Sequence, residues 1–298
     1  MIGRACARRP VTSPRPRSRF ALPPDAFEIQ YRPGSTLPHD RHAVVPLRRN
    51  TPHVSPNPPR PRFPPRLDVE ATRVEVVELG IDAPADPEAE ATLAPEERER
   101  ARRFLFERDR SRFTAARAGL RAVLGACLGL EPASVPLRVR PGGKPELDLA
   151  DTPLRFNLSH SGERALVAVA LGRDVGVDVE LLRDIDHLSM AQRFFTRGEQ
   201  AAIAASARGP LLGFYRCWVA KESYLKARGE GLASPLDAFE VDPDAPAGCL
   251  RWSALDEDPR RWRLEQLDVG DGYAAAVTCE EGNWTLRRWR GIPVRPPR

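Results

Sequence analysis

Apolar positions along this chain follow two different periods, and the two alternate. Val74-Glu75-Val76-Val77-Glu78-Leu79 has the β-branched content and partial two-residue alternation of a strand. Pro95-Glu96-Glu97 then opens a helix, since a first-turn proline has no amide to lose and acids there complement the dipole. Phe113, Ala116, Leu120, Val123, Leu124 and Cys127 recur at three- and four-residue steps, the apolar face of a longer helix. Asp109, Arg112, Arg117 and Arg121 are left for its other faces, and Gly129 ends it. After a turn at Pro141-Gly142-Gly143, residues 155–161 read as a strand running into a polar loop. Residues 166–171 and 175–180 are two further strands, joined by Gly172-Arg173-Asp174. Thr196-Arg197-Gly198-Glu199 fits a capping box. Pro210 begins a helix that runs to about Arg228 and stops before Gly229. Late strands are predicted over 239–241, 262–266, 273–278 and 284–289. The fold class is α+β, and the order looks like one rough pattern used twice, in halves spanning 67–175 and 176–291.

The first 66 residues stand outside this pattern. They hold 15 of the 31 prolines and 13 arginines, with only Asp25, Glu28 and Asp40 as acids, a balance of +10. Proline removes backbone donors, and no apolar period persists, so no fold of its own is expected here. A disordered extension or over-called start, a targeting peptide and a nucleic-acid-binding arm are the competing readings. The remainder carries 33 basic against 38 acidic residues, so net charge gives no reason to expect nucleic-acid binding there. No apolar run approaches the roughly 18 residues of a membrane span. The five cysteines are scattered without a Cys-x-x-Cys pair, which suits reduced thiols in a cytoplasmic protein.

Chemistry concentrates in two segments. In Gly176-Val177-Asp178-Val179-Glu180 the alternation puts Asp178 and Glu180 on one face and the valines toward the core. Two adjacent carboxylates repel unless a cation lies between them, and oxygen ligands suit magnesium. A solvent-facing edge strand would carry the same acids. In the helix at 214–226, Phe214, Trp218, Lys221 and Leu225 form one stripe, along which Lys221 can lay its stem. Glu222 and Lys226 lie one turn apart, either as an ordinary ion pair or as a third metal carboxylate beside a phosphate-binding lysine.

Gly-Val-Asp-Val-Glu followed by Trp218-Val-Ala-Lys-Glu-Ser-Tyr-Leu-Lys226 resembles the two signature motifs of the 4′-phosphopantetheinyl transferases. Length and spacing are similar to the surfactin-synthetase-activating (Sfp-type) class, whose single chain holds two related halves. Gly143-Lys144-Pro145, Phe156-Asn157-Leu158-Ser159-His160-Ser161, Arg193-Phe194-Phe195-Thr196 and Gly229-Glu230-Gly231-Leu232 look like family segments in the family's order. The resemblance spans about Val74 to Val277.

It implies two α/β halves related by a pseudo-twofold. It also implies transfer of the 4′-phosphopantetheine arm of coenzyme A to a serine of an apo acyl or peptidyl carrier protein, releasing 3′,5′-ADP. Asp178, Glu180 and Glu222 would hold Mg2+, while Lys144, Ser159 and His160, with Asp178 and Lys226, would meet the coenzyme. Arg100 matches an early basic contact, with Arg98, Arg102 and Arg103 as alternatives. Glu222 is the favoured base, helped by Lys226, and a metal-bound water is equally writable. The carrier is expected to dock on residues 189–216, with Met190, Phe194, Phe195, Leu211 and Leu212 as candidates. A family member that binds coenzyme A or a carrier without turnover is the alternative. Two halves in one chain can build the shared cleft, so a monomer is expected, with no nucleic-acid or membrane partner.

Overall fold

Three apolar clusters sort the chain into layers. The computed structural model describes residues 62–291 other than 83–85, 140–143, 230–233, 246–249 and 256–257. Strands β1 (Arg73–Gly80), β4 (Leu154–Ser161), β5 (Arg164–Leu171) and β11 (Thr285–Arg290) form one sheet, in the order β11-β1-β5-β4. Strands β6 (Val175–Leu181), β9 (Trp262–Gln266) and β10 (Tyr273–Glu280) form a second, in the order β6-β10-β9. Val74, Val76, Leu166 and Ala168 of the first sheet share a buried cluster with Val175, Val177, Val179 and Val277 of the second. Alternation therefore leaves each sheet a second face to cover.

On the first sheet that face carries Val77, Leu79, Val167 and Val169, covered by helix α3 (Glu107–Leu128) through Leu120, Val123 and Leu124. On the second it carries Ala274, Ala276 and Leu264, covered by helix α6 (Pro210–Arg228) through Cys217, Trp218 and Leu225. The layers run helix, sheet, sheet, helix, a mixed α+β architecture. Around them lie α1 (Pro87–Thr92), α2 (Pro95–Arg102), α4 (His187–Phe194) and α5 (Arg197–Ala204). Two short strand pairs complete the set: β2 (Leu137–Val139) with β3 (Pro145–Leu147), and β7 (Phe239–Val241) with β8 (Leu250–Ser253).

The long predicted helices and the late strands are present, and Thr196 and Glu199 make the expected capping box. α1, α4, β2, β3 and β8 were not legible, being too short to show a period. Three expectations need correction. The polar end of β4 is strand through Ser161, because β5 pairs with it to the last residue and its polar side chains have partners in the second sheet. Arg117 and Arg121 are buried and do not face solvent. Arg121 pairs with Glu97 at 2.6 Å and donates to the carbonyls of Pro132 and Val135. The packed chain also begins before Leu67: Phe63 is 2 % exposed and sits edge-on to Trp289, and Arg62 bridges to Arg290.

Two connections follow from the layering. Gly172-Arg173-Asp174 does not close a hairpin; it carries the chain from β5 in one sheet to β6 in the other. The last strand, β11, returns to pair parallel with β1. Residues 1–61, the Pro141-Gly142-Gly143 turn and Glu230-Gly231-Leu232 lie outside the described residues. Among the described residues no helix is long and apolar enough to cross a membrane. Cys127, Cys217 and Cys279 are free thiols. Burial pushes Cys127 and Cys279 up to about 12, so they are poor nucleophiles.

Candidate active site

The site lies where α6 crosses β6, and a glycine permits the crossing. Gly176, Asp178 and Glu180 share the face of β6 opposite Val177 and Val179. A Cβ on Gly176 would stand 2.1 Å from the Ser223 carbonyl oxygen and 2.3 Å from the Ala227 amide nitrogen. No other residue lets the helix lie this close. One turn of α6 then delivers Glu222 and Lys226 to Asp178. The helix ends at Gly229, in the left-handed region at φ 75°. Lys144 reaches across from the first half to donate to the Lys226 carbonyl at 2.7 Å.

Asp178 is 2 % exposed, and its Oδ1 receives the Lys226 ammonium at 2.6 Å and the Ser159 hydroxyl at 2.7 Å. Ser159 Oγ also accepts from Lys226, at 3.1 Å, and from the Val179 amide, at 3.3 Å. A hydroxyl has one donor and two acceptor positions. All three are filled here, by Asp178, Lys226 and the Val179 amide, so this side chain orients Asp178. Ser161 Oγ donates to Glu180 Oε2 at 2.8 Å and accepts from the Leu181 amide at 3.1 Å. Sequence reasoning missed Ser161 as a site residue, although its two-residue step from Ser159 placed it on the same face of β4.

The carboxylates are held in an unfavourable state. Burial, then the charge of Asp178, raises Glu180 from its ordinary 4.5 to about 8. The same two causes raise Glu222 to about 7. Burial works against the charge of Lys226, but Asp178, Glu222 and Glu180 outweigh it and its pKa is raised. Asp178 Oδ2 and Glu222 Oε1 are buried with no hydrogen-bond partner among the described residues. Orphaned carboxylate oxygens side by side fit a hard cation. Among the described residues no three or more potential ligands are already gathered as a metal cluster, and the Lys226 ammonium is the cation lying against Asp178.

A pH dependence follows. A carboxyl group with a raised folded pKa stabilises the fold below its unfolded pKa near 4.5, and that contribution is lost as pH rises toward about 8. Cation binding needs the ionised carboxylates, so it opposes this loss. The increment in Tm produced by added Mg2+ over EDTA should therefore grow from about pH 5 to about pH 8. Differential scanning fluorimetry across that range measures it, and an increment independent of pH would refute the assignment.

Basic groups gather on the first-half side. The protein packed around the His160 ring, then the charges of Lys226, Arg117 and Arg100, lower its pKa, although its side chain still reaches solvent. Arg100 and Arg117 flank the Phe113 ring, 5.5 and 5.4 Å from its centroid. Of its neighbours, Arg98 donates to the Leu93 carbonyl and Arg103 pairs with Glu99 at 3.6 Å, while the charge of Arg100 acts on His160. Lys221 differs from its expected surface role. It is fully buried, bonded to Glu199 at 2.6 Å and to the carbonyls of Leu236 and Phe239. Phe195 is likewise core, whereas Met190, Phe194, Leu211 and Leu212 are half-buried against it.

Family comparisons agree with this arrangement. Residues 174–278 match the 4′-phosphopantetheinyl transferase superfamily, and residues 87–171 match the "4′-phosphopantetheinyl transferase, N-terminal" family. The chain belongs to the 4′-phosphopantetheinyl transferase superfamily, in its Sfp-type class. It is 37% identical over 234 residues to the 4′-phosphopantetheinyl transferase HetI of Nostoc sp., covering 76% of this chain and 95% of that one. It is 34% identical over 198 residues to the 4′-phosphopantetheinyl transferase Sfp of Bacillus subtilis, covering 62% of this chain and 81% of the relative. A phosphopantetheinyl transferase of Thraustochytrium sp. is 33% identical over 207 residues, covering 64% and 71%.

Proposed function

We propose that this enzyme moves the 4′-phosphopantetheine group of coenzyme A onto a serine of an apo acyl or peptidyl carrier protein, at the carboxylates where α6 crosses β6, with release of 3′,5′-ADP. The observation that carries this reading is the pair of buried, unpartnered oxygens on Asp178 and Glu222, beside the Lys226 ammonium. Asp178, Glu180 and Glu222 would hold Mg2+ through a hard all-oxygen set. Held there, Mg2+ would supply charge neutralisation for the coenzyme's pyrophosphate, of which one phosphate stays with the transferred arm and the other leaves in 3′,5′-ADP.

The remaining work falls to side chains. Lys226, Lys144, His160 and Arg100 bind and orient the phosphates, as cations and hydrogen-bond donors. Glu222, with Lys226 one turn away on α6, is the group placed to take the proton of the attacking serine. Ser159 fixes Asp178, and through it the position of Lys226. The halves at 67–175 and 176–291 act as a pseudo-twofold pair, each built on a sheet backed by one long helix, with β11 of the second crossing over to the first sheet. The enzyme works as a cytoplasmic monomer. The carrier docks on the 189–216 surface, where Leu188 at its edge is 48% exposed.

The test is labelling of a panel of apo carrier proteins with fluorescent coenzyme A. Label should appear with Mg2+, vanish with EDTA and return on adding excess Mg2+. A protein that binds coenzyme A but labels no fatty-acid, polyketide or peptide-synthetase carrier would support a non-catalytic binding role instead.

A further inference from the structure

Strand β6 is the edge of its sheet, and β10 pairs with only one side of it. Its outward amides, at Val177, Val179 and Leu181, would be an open row that a strand edge must cover. Among the described residues no backbone of a fourth strand covers them. Alternate side chains of β4 do so instead: Asn157 Oδ1 accepts from Val177 at 2.9 Å, Ser159 Oγ from Val179 at 3.3 Å and Ser161 Oγ from Leu181 at 3.1 Å. The two sheets are thus seamed by a three-rung ladder of side chain on backbone, with rungs two residues apart on both strands.

The rungs are not chemically equal. Asn157 contributes its carbonyl oxygen to the seam, and among the described residues no hydrogen bond joins its side chain to a carboxylate. Each serine hydroxyl, having accepted from the amide of one residue, turns its own proton onto the carboxylate of the residue before it. Ser159 donates to Asp178 Oδ1 at 2.7 Å and Ser161 to Glu180 Oε2 at 2.8 Å. An amide-fixed hydroxyl cannot rotate freely, so the donated proton sets the carboxylate's rotamer. Ser161 engages one Glu180 oxygen, Oε2, and leaves Oε1 outside this bond.

We propose that Ser161 is a positioning residue for Glu180: the seam between β4 and β6 locks its hydroxyl, and the hydroxyl locks the carboxylate in the orientation that binds a divalent cation. This rests on the cation reading given under Proposed function. The seam accounts for the alternation of Asn157, Ser159 and Ser161 with no loop between them, and it makes Asn157 a scaffold rung only.

The experiment titrates Mn2+ into full-length protein saturated with coenzyme A, counting free Mn2+ by electron paramagnetic resonance against a coenzyme-only blank. Ser161→Ala should weaken Mn2+ binding about tenfold or more, as loss of a group that orients a metal ligand does. Ser161→Thr, which keeps the hydroxyl, should restore most of it. Asn157→Ala should lower Tm while leaving Mn2+ affinity at the wild-type value. The proposal is overturned if Ser161→Ala binds Mn2+ as wild type does and only lowers Tm, as Asn157→Ala does. It is also overturned if wild type shows no saturable Mn2+ binding above the blank, a result that sinks the cation reading itself and is separable from the first by the wild-type curve alone.

Discussion

Gly176→Ala should cut kcat/KM by about 100-fold or more, and it should do so without removing a single functional group. The added methyl carbon would sit 2.1 Å from the Ser223 oxygen, 2.3 Å from the Ala227 nitrogen and 2.9 Å from the Lys226 carbonyl carbon. All three are helix backbone, so no flexible side-chain end can swing away. Relief requires α6 to lift from β6 by roughly an ångström, and a displacement of that size at reacting groups costs about two orders of magnitude in rate. Glu222 and Lys226 ride on the lifted turn, whereas Asp178 and Glu180 stay with the strand. Overpacking also costs about 1–3 kcal/mol, which for a protein of this size lowers Tm by roughly 2–12 °C. Steady-state kinetics with a carrier substrate, paired with a thermal melt, decides the matter. Wild-type turnover in Gly176→Ala would mean that the helix and strand do not need this contact.

Lys221→Met should be the most destabilising single change on α6, at about 3–5 kcal/mol, because it strands a buried carboxylate. Lys221 and Glu199 are both fully buried and pair at 2.6 Å, with the ammonium completed by the Leu236 and Phe239 carbonyls. It also lies 4.1 Å from the Phe239 ring centroid. Glu199 meanwhile accepts from the amides of Thr196 and Val241. This one pair therefore ties α5, α6 and β7 together. Replacing a buried pair as a unit can be near neutral. Here Lys221→Met with Glu199→Leu should recover only part of the loss, since the α5 cap and the Val241 amide lose their acceptor. Urea unfolding of the singles and the double gives the coupling. If Lys221→Met loses less than about 1 kcal/mol, the pair is not what joins these elements.

The position of Lys221 shows where reading the sequence stops. Its place in the stripe with Phe214, Trp218 and Leu225 was visible, and the stripe is buried. A long cationic stem on an apolar stripe ordinarily reaches water. Whether its head found water or a buried acid depended on Glu199, 22 positions away in sequence on another helix. Arg121 repeats the lesson. Helical period placed it off the main apolar face, and only the approach of α2, with Glu97, made that flank an interior. Sequence also could not say that β5 and β6 belong to different sheets, because a three-residue turn serves a hairpin or a sheet change equally.

What the sequence determined by itself is the set of local periods and the chemistry they present. Strand alternation put Asp178 and Glu180 on one face with Gly176, and helical spacing stacked Glu222 under Lys226. Both depend only on backbone geometry within a few residues. Tertiary structure decided which of these groups meet and in what state. It pressed α6 onto Gly176, spent the Ser159 hydroxyl on Asp178 and raised Glu180 and Glu222 by burying them beside a like charge. Those outcomes depend on distances between elements far apart in the chain. Desolvation and Coulomb interaction act through those distances, whatever the separation in sequence.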